Sequence, residues 1–125
     1  IGDDTKWTWE VIYRDELRFA ELLRKFPVET MTENIKRILT QALRELMLLQ
    51  ASDWQFLIST FSAKDYAEQR FSYHHSDFNL LCSMAERCEG SKKRIKQPDL
   101  KILKEIEERN SVFPELKLEW WKLQG

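Results

Sequence analysis

Apolar positions recur at helical spacing along nearly the whole chain. The cleanest run is Ala67, Phe71, His74, Phe78, Leu81, Ala85 and Cys88, alternately four and three residues apart, which predicts one long amphipathic helix. Ser62 with Asp65 has the form of a capping box and places the start of that helix beside Ala63. His74 lies inside the apolar row with Arg70 one turn before it, so both point toward the body of the protein or its edge. A histidine so placed reads as a hydrogen-bonded structural residue rather than a ligand or catalyst. Upstream, Ile35, Ile38, Ala42, Leu46 and Leu49 write another face, with Leu43, Met47 and Leu48 in the neighbouring directions. A helix apolar on so many sides is predicted to be the central one. Thr30 and Glu33 place its start near Met31. Ser52 and Asp53 offer side-chain acceptors just ahead of Trp54, Phe56, Leu57 and Ile58, so a kink or a fresh helix start is expected there.

The ends follow the same logic. From Trp7 to Phe26, a face of Trp9, Ile12, Phe19, Leu22, Leu23 and Phe26 predicts a first helix stopped by Pro27. Glu16 falls on that face and needs a cationic partner if covered, for which Arg44 and Arg70 are candidates. Residues 90–98 read as a solvated loop, with Gly90 as a C′ residue and a basic cluster at the negative end of the helix dipole. Pro98 and Asp99 open a last helix with a short stripe of Leu100, Leu103 and Ile106, flanked by Ile102. Pro114 forbids a regular helix through the tail, which alternates weakly and is expected to lie extended across the bundle. The expected fold is therefore an all-α bundle of four to five helices, one kinked near Ser52–Trp54, with an extended C-terminal tail. Residues 1–125 read as a single domain.

Composition narrows the picture. Three glycines and three prolines in 125 residues argue against a loop-rich or many-stranded fold, and five Trp with seven Phe supply a large core. Twenty basic against twenty-one acidic side chains leave a formal net charge of −1, which removes the electrostatic reason to expect nucleic acid or an anionic membrane as partner. The Lys92–Arg94 cluster has no interleaved aromatic residue, as a nucleic-acid groove would. No apolar run approaches the roughly 20 residues of a membrane span, and the N-terminus is not a signal peptide. Cys82 and Cys88 are about 9 Å apart along the predicted helix axis and on different faces, so reduced, cytoplasmic thiols are the economical reading. The chain opens on Ile1 rather than Met, which fits a piece of a longer polypeptide.

Several runs together resemble a known family. Arg44-Glu45-Leu46, Gln50-Ala51-Ser52-Asp53-Trp54 with Phe56, and Tyr66-Ala67-Glu68 with Arg70, His74 and Phe78 are similar to the C-terminal helical domain of glycoside hydrolase family 57 glucan branching enzymes. Trp7-Thr8-Trp9 followed by Ile12-Tyr13, Glu16 and Arg18 resembles that domain's opening, and Glu108 to Pro114 with Leu116 resembles its closing motif. Three positions depart from the pattern. Ala51 stands where a second Ser is usual, Phe61 where Gly precedes the cap, and Tyr13 where His is common, so a role tied to that His does not transfer. The resemblance implies an accessory part of a 1,4-alpha-glucan branching enzyme of carbohydrate metabolism and glycogen biosynthesis. Its partners would be an alpha-1,4-glucan and a catalytic (β/α) barrel.

The residues themselves support no independent catalysis. Retaining glycoside transfer needs two carboxyl groups about 5–5.5 Å apart across a cleft, and no such pair is evident; a barrel of about 250 residues cannot fit in this length. No Glu-x-x-His pair, zinc set, Gly-rich phosphate loop or serine elbow appears, so no catalytic residue, metal or cofactor is expected. The resemblance assigns Trp7, and with less support Trp9 and Trp54, to glucan contact, since an indole face covers sugar C–H groups. Packing is the competing role for each. Glu16, Arg44, Asp53, Arg70 and His74 read as a polar network tying the first three helices together. A different class of function is a stand-alone helical module whose aromatic patches bind another protein. If the network contains a buried carboxylate that Arg44 neutralises, Arg44→Ala lowers stability by about 2–4 kcal/mol, and an unshifted denaturant midpoint would refute the assignment.

Overall fold

The computed structural model describes residues 3–27, 31–50, 64–90, 95–110 and 118. Among them the regular secondary structure is all helix, with α1 at Asp3–Lys25, α2 at Glu33–Leu49, α3 at Lys64–Gly90 and α4 at Gln97–Arg109. The expected kink at Ser52–Trp54, the Ser62 cap and all of the extended tail except Leu118 lie outside the described residues. Leu118 itself is fully buried in the core.

The central helix is α2. It packs most extensively against α3 and also meets α1 and α4. Ile35, Ile38, Leu39, Ala42, Leu43, Leu46 and Leu49 are all buried, so its apolar residues face three neighbours at once. Its start differs from expectation. Thr32, in an extended conformation at φ −71° and ψ 161°, is the N-cap and accepts a hydrogen bond from the Ile35 amide at 3.3 Å. Glu33 therefore begins the helix and cannot be the third residue of a box opened at Thr30. Thr30 lies outside the described residues.

The long helix α3 buries the predicted row: Phe71, His74, Phe78, Leu81, Ala85 and Cys88 all face inward. Its helical run of 27 residues extends through Gly90, one residue beyond the predicted stop. In α4, Pro98 sits in the first turn, where its missing N–H costs nothing, and Leu103 and Ile106 carry the buried stripe.

On α1 five of the six residues of the predicted face, Ile12, Phe19, Leu22, Leu23 and Phe26, are buried, and only Trp9 departs from it. Besides Leu23, the buried positions are Thr8, Ile12, Asp15, Phe19, Leu22 and Phe26, an unbroken four-three alternation in which two polar residues take part. Trp9 is 44% exposed and lies outside this seam. Phe19, Leu22 and Phe26 set the phase because they meet the core directly, and extending their spacing backward passes through Asp15 and Thr8, not Glu16 and Trp9. Phe19 meets Phe78 of α3 with ring centroids 6.3 Å apart, and Trp7 stands edge-on to Phe71 at 5.2 Å.

Leu46→Ala, at a fully buried site on the central helix, is expected to cost about 3 kcal/mol in urea unfolding. Leu80→Ala, at a residue 45% exposed on α3, should stay within about 0.5 kcal/mol of the parent.

Candidate functional site

A carboxylate lies at the centre of the bundle. Glu45 is fully buried on α2, and its oxygens collect donors from three directions. Gln41, one turn earlier, donates from Nε2 to Oε2 at 3.0 Å. His74 of α3 places Nδ1 at 2.8 Å from Oε1. Asn110, just after α4, donates from Nδ2 to Oε1 at 3.0 Å and to Oε2 at 2.9 Å. Facing a carboxylate, which accepts and does not donate, His74 carries its proton on Nδ1. Gln41 Nε2 also donates to the backbone oxygen of Asn110 at 3.0 Å, and Arg44 Nη1 donates to Gln41 Oε1 at 2.8 Å.

Asp77 adjoins this cluster. Its Oδ2 accepts from Asn110 Nδ2 at 3.2 Å, and both its oxygens accept from Arg109 Nη2 at 3.0 Å. Burial pushes the Asp77 carboxyl above its ordinary value of 3.8; Arg109 and the hydrogen bond from Asn110 oppose the shift, and Glu45 adds to it. Glu45 and Asp77 thus share one amide donor deep in the bundle. That arrangement ties α2, α3 and the end of α4 together, and it gives no cleft in which two acids could flank a glycosidic bond.

Two surfaces face outward. A pocket of about 250 Å³ between α3 and α4 is lined by Arg70, Tyr73, His74, Ser76, Asp77, Arg109 and Asn110. On α1, Trp9 (44% exposed), Tyr13 (64%) and Leu17 (53%) form an apolar strip at four-residue spacing. Lys6, Glu10 and Arg14 border Trp9 and Tyr13 in a shallow groove.

Behind that strip a polar seam joins α1 to α3. Asp15 Oδ2 lies 2.6 Å from His75 Nδ1, and Arg18 binds Asn79 Oδ1, Ser83 Oγ at 3.4 Å and Glu86 Oε1 at 2.6 Å. Both cysteines are free and buried. Burial pushes the Cys82 thiol up to about 12, and Cys88 is raised for the same reason, so neither is a ready nucleophile. Among the described residues no group of three or more His, Cys, Asp or Glu is placed to hold a metal ion, and no helix is long and apolar enough to cross a membrane.

Comparison with known proteins places this helical arrangement. The family described as 1,4-alpha-glucan branching enzyme, C-terminal, matches residues 11–121. The chain belongs to that family. A 1,4-alpha-glucan branching enzyme of Thermococcus kodakarensis is 40% identical over 112 residues, which are 90% of this chain and 16% of that protein. The crystal structure of a GH57-type branching enzyme from the hyperthermophilic archaeon Pyrococcus horikoshii superposes with a TM-score of 0.83 at 34% identity, covering 94% of this chain and 21% of that one. The chain therefore spans about one-sixth to one-fifth of the branching enzymes it matches.

The sequence-derived candidates of this branching-enzyme domain fall in different places. His74 and Arg44 are in or beside the buried cluster, and Arg70 lines the α3–α4 pocket. Glu16 is half-buried on α1, and no hydrogen bond among the described residues joins it to the cluster. Trp7 is half-buried against Phe71, whereas Trp9 faces out. Trp54 and Asp53 lie outside the described residues. Sequence reasoning missed Glu45, Gln41, Asp77, Arg109 and Asn110. A signal existed for the first three: Gln41 and Glu45 are four apart within the apolar arc of α2, and Asp77 sits beside Phe78 in the inward row of α3. Asn110 follows the end of a helix and carries no such signal.

Glu45→Gln keeps the shape but turns part of an acceptor into a donor facing donors, so it is expected to cost about 2–4 kcal/mol of folding stability. Asp77 gives a pH signature. An acid whose folded value is raised contributes stability that is present below its unfolded value and lost as pH rises through the folded one. Denaturant midpoints of the parent should thus carry a decline above pH 3.8 that Asp77→Asn lacks, and parallel profiles would refute this.

Proposed function

We propose that this chain is the accessory C-terminal part of an alpha-1,4-glucan branching enzyme, hydrolytically silent alone, which packs on a (β/α) barrel carrying the reactive acids. The observation that carries the reading is the strip of Trp9, Tyr13 and Leu17 on α1. A helix whose inner seam already fills the core has no internal use for a second apolar face at regular spacing. Such a strip suits burial against another domain, and the indole and phenol rings also suit the C–H faces of a glucan in a cleft between the two. Trp7, held edge-on by Phe71, backs that surface and is a candidate to shape it. Trp54 remains a candidate on the family pattern alone.

Family membership supports the substrate class, because the matched relatives carry the name of a 1,4-alpha-glucan branching enzyme. A place in glycogen biosynthesis and in the cytoplasm follows from that reading, and two buried unpaired thiols fit a reducing compartment. The near-balanced charge supports neither nucleic acid nor an anionic membrane as partner.

The test uses the full-length protein. Removing one aromatic contact is worth about 0.5–1.5 kcal/mol, so Trp9→Ala should reduce amylose branching roughly two- to twelvefold, scored by iodine staining and chain-length profile. This chain alone should form no branches. Full branching activity in a Trp9→Ala, Tyr13→Ala double variant would overturn the role given to the strip.

A further inference from the structure

The pocket between α3 and α4 combines three kinds of groups that the buried cluster leaves over. Arg70 is half-buried on its wall and has no hydrogen-bond or ion-pair partner among the described residues. Asn110 is only 7% exposed, and its Nδ2 is committed to Glu45 and Asp77. Those partners are all acceptors, which fixes the amide orientation and leaves Oδ1 without a donor among the described residues. Tyr73 is 52% exposed on the rim, and its hydroxyl accepts from Gln69 Nε2 at 2.8 Å, which holds the ring.

The pocket offers an anion no net positive field, because Arg70 and Arg109 in its wall are matched by Asp77 beside them and Glu45 behind Asn110. An extended apolar ligand fits no better, since every described lining residue carries a polar group and the volume of about 250 Å³ falls below the roughly 300–1,000 Å³ of drug-sized sites. A neutral hexose matches on each count. Every hydroxyl both donates and accepts, and the C–H face of the ring covers an aromatic side chain.

We propose that the α3–α4 pocket is a carbohydrate subsite that seats one glucosyl unit of an alpha-1,4-glucan, with Tyr73 as its stacking face, Arg70 donating and Asn110 Oδ1 accepting. The identity of the sugar rests on the branching-enzyme reading above. The site itself lies on α3 and α4, apart from the α1 strip, and would hold a glucan chain away from the point of transfer.

The experiment is a maltotriose titration of the full-length protein labelled with 3-fluorotyrosine, with the Tyr73 fluorine signal assigned by its loss in Tyr73→Phe. The expected result is a saturable shift of that signal, with a midpoint at least fivefold higher in Arg70→Met. Inorganic phosphate should leave the signal in place. Should Arg70→Met lower the melting temperature, Arg70→Lys supplies the same comparison, since it keeps the charge and loses the planar fork. A Tyr73 signal unmoved by maltotriose, moved only by phosphate, or moved with the same midpoint in the Arg70 variants overturns the subsite. If Trp9→Ala lowers branching while Tyr73 stays unmoved, the subsite alone falls. If the parent forms no branches yet Tyr73 saturates with maltotriose, the subsite stands and the branching reading falls.

Discussion

A carboxylate with no exposure to water sits in the middle of an apolar bundle, and the packing of three helices depends on how it is satisfied. Glu45 takes donors from Gln41 on its own helix, from His74 on α3 and from Asn110 at the end of α4. Taking such a group out of water costs several kcal/mol, which the hydrogen bonds offset only when all of them form together. The cluster therefore adds little net stability and much selectivity: slide α3 or α4 by one turn along α2 and the carboxylate loses a donor. The apolar contacts around it would tolerate that slide far better, because leucine against leucine is nearly the same one turn on.

The same logic explains why α1 has two faces. Its inner seam alternates apolar residues with Thr8 and Asp15, and the Asp15–His75 contact holds it against α3. Arg18 reinforces that junction through Asn79, Ser83 and Glu86, although its ion pair with Glu86 is largely solvent-facing and adds little by itself. With the inner face anchored by directional bonds, the outer strip of Trp9, Tyr13 and Leu17 is held in a fixed presentation toward whatever covers it.

Helix α3 links the two outward surfaces. One side of it fills the core with Phe71, Phe78 and Leu81, while Arg70, Tyr73, Ser76 and Asp77 turn toward α4. The pocket exists because Asn110 and Arg109 reach back from α4 to the carboxylates instead of closing over them with apolar groups. A domain that spans only a fraction of its relatives can thus offer one aromatic strip and one polar recess on opposite uses of the same bundle.

The helices were legible in the chain because a period of three to four residues survives wherever one side of a helix is covered. The row from Phe71 to Cys88 and the many-sided burial of α2 follow from that spacing alone. One position was harder: on α1 the bulk of Trp9 outweighed the polarity of Thr8, although the spacing of Phe19, Leu22 and Phe26 points through Thr8. His74 announced itself as a polar residue in an apolar row, and Glu45 did so more faintly. Nothing in the local sequence could bring Asn110, sixty-five positions later, to Glu45, or set Arg109 on Asp77. Helical periodicity is a property of neighbours along the chain, so the sequence by itself determined the elements and their buried faces. Which donor meets which carboxylate depends on where distant helices come to rest, and only the tertiary structure decided that.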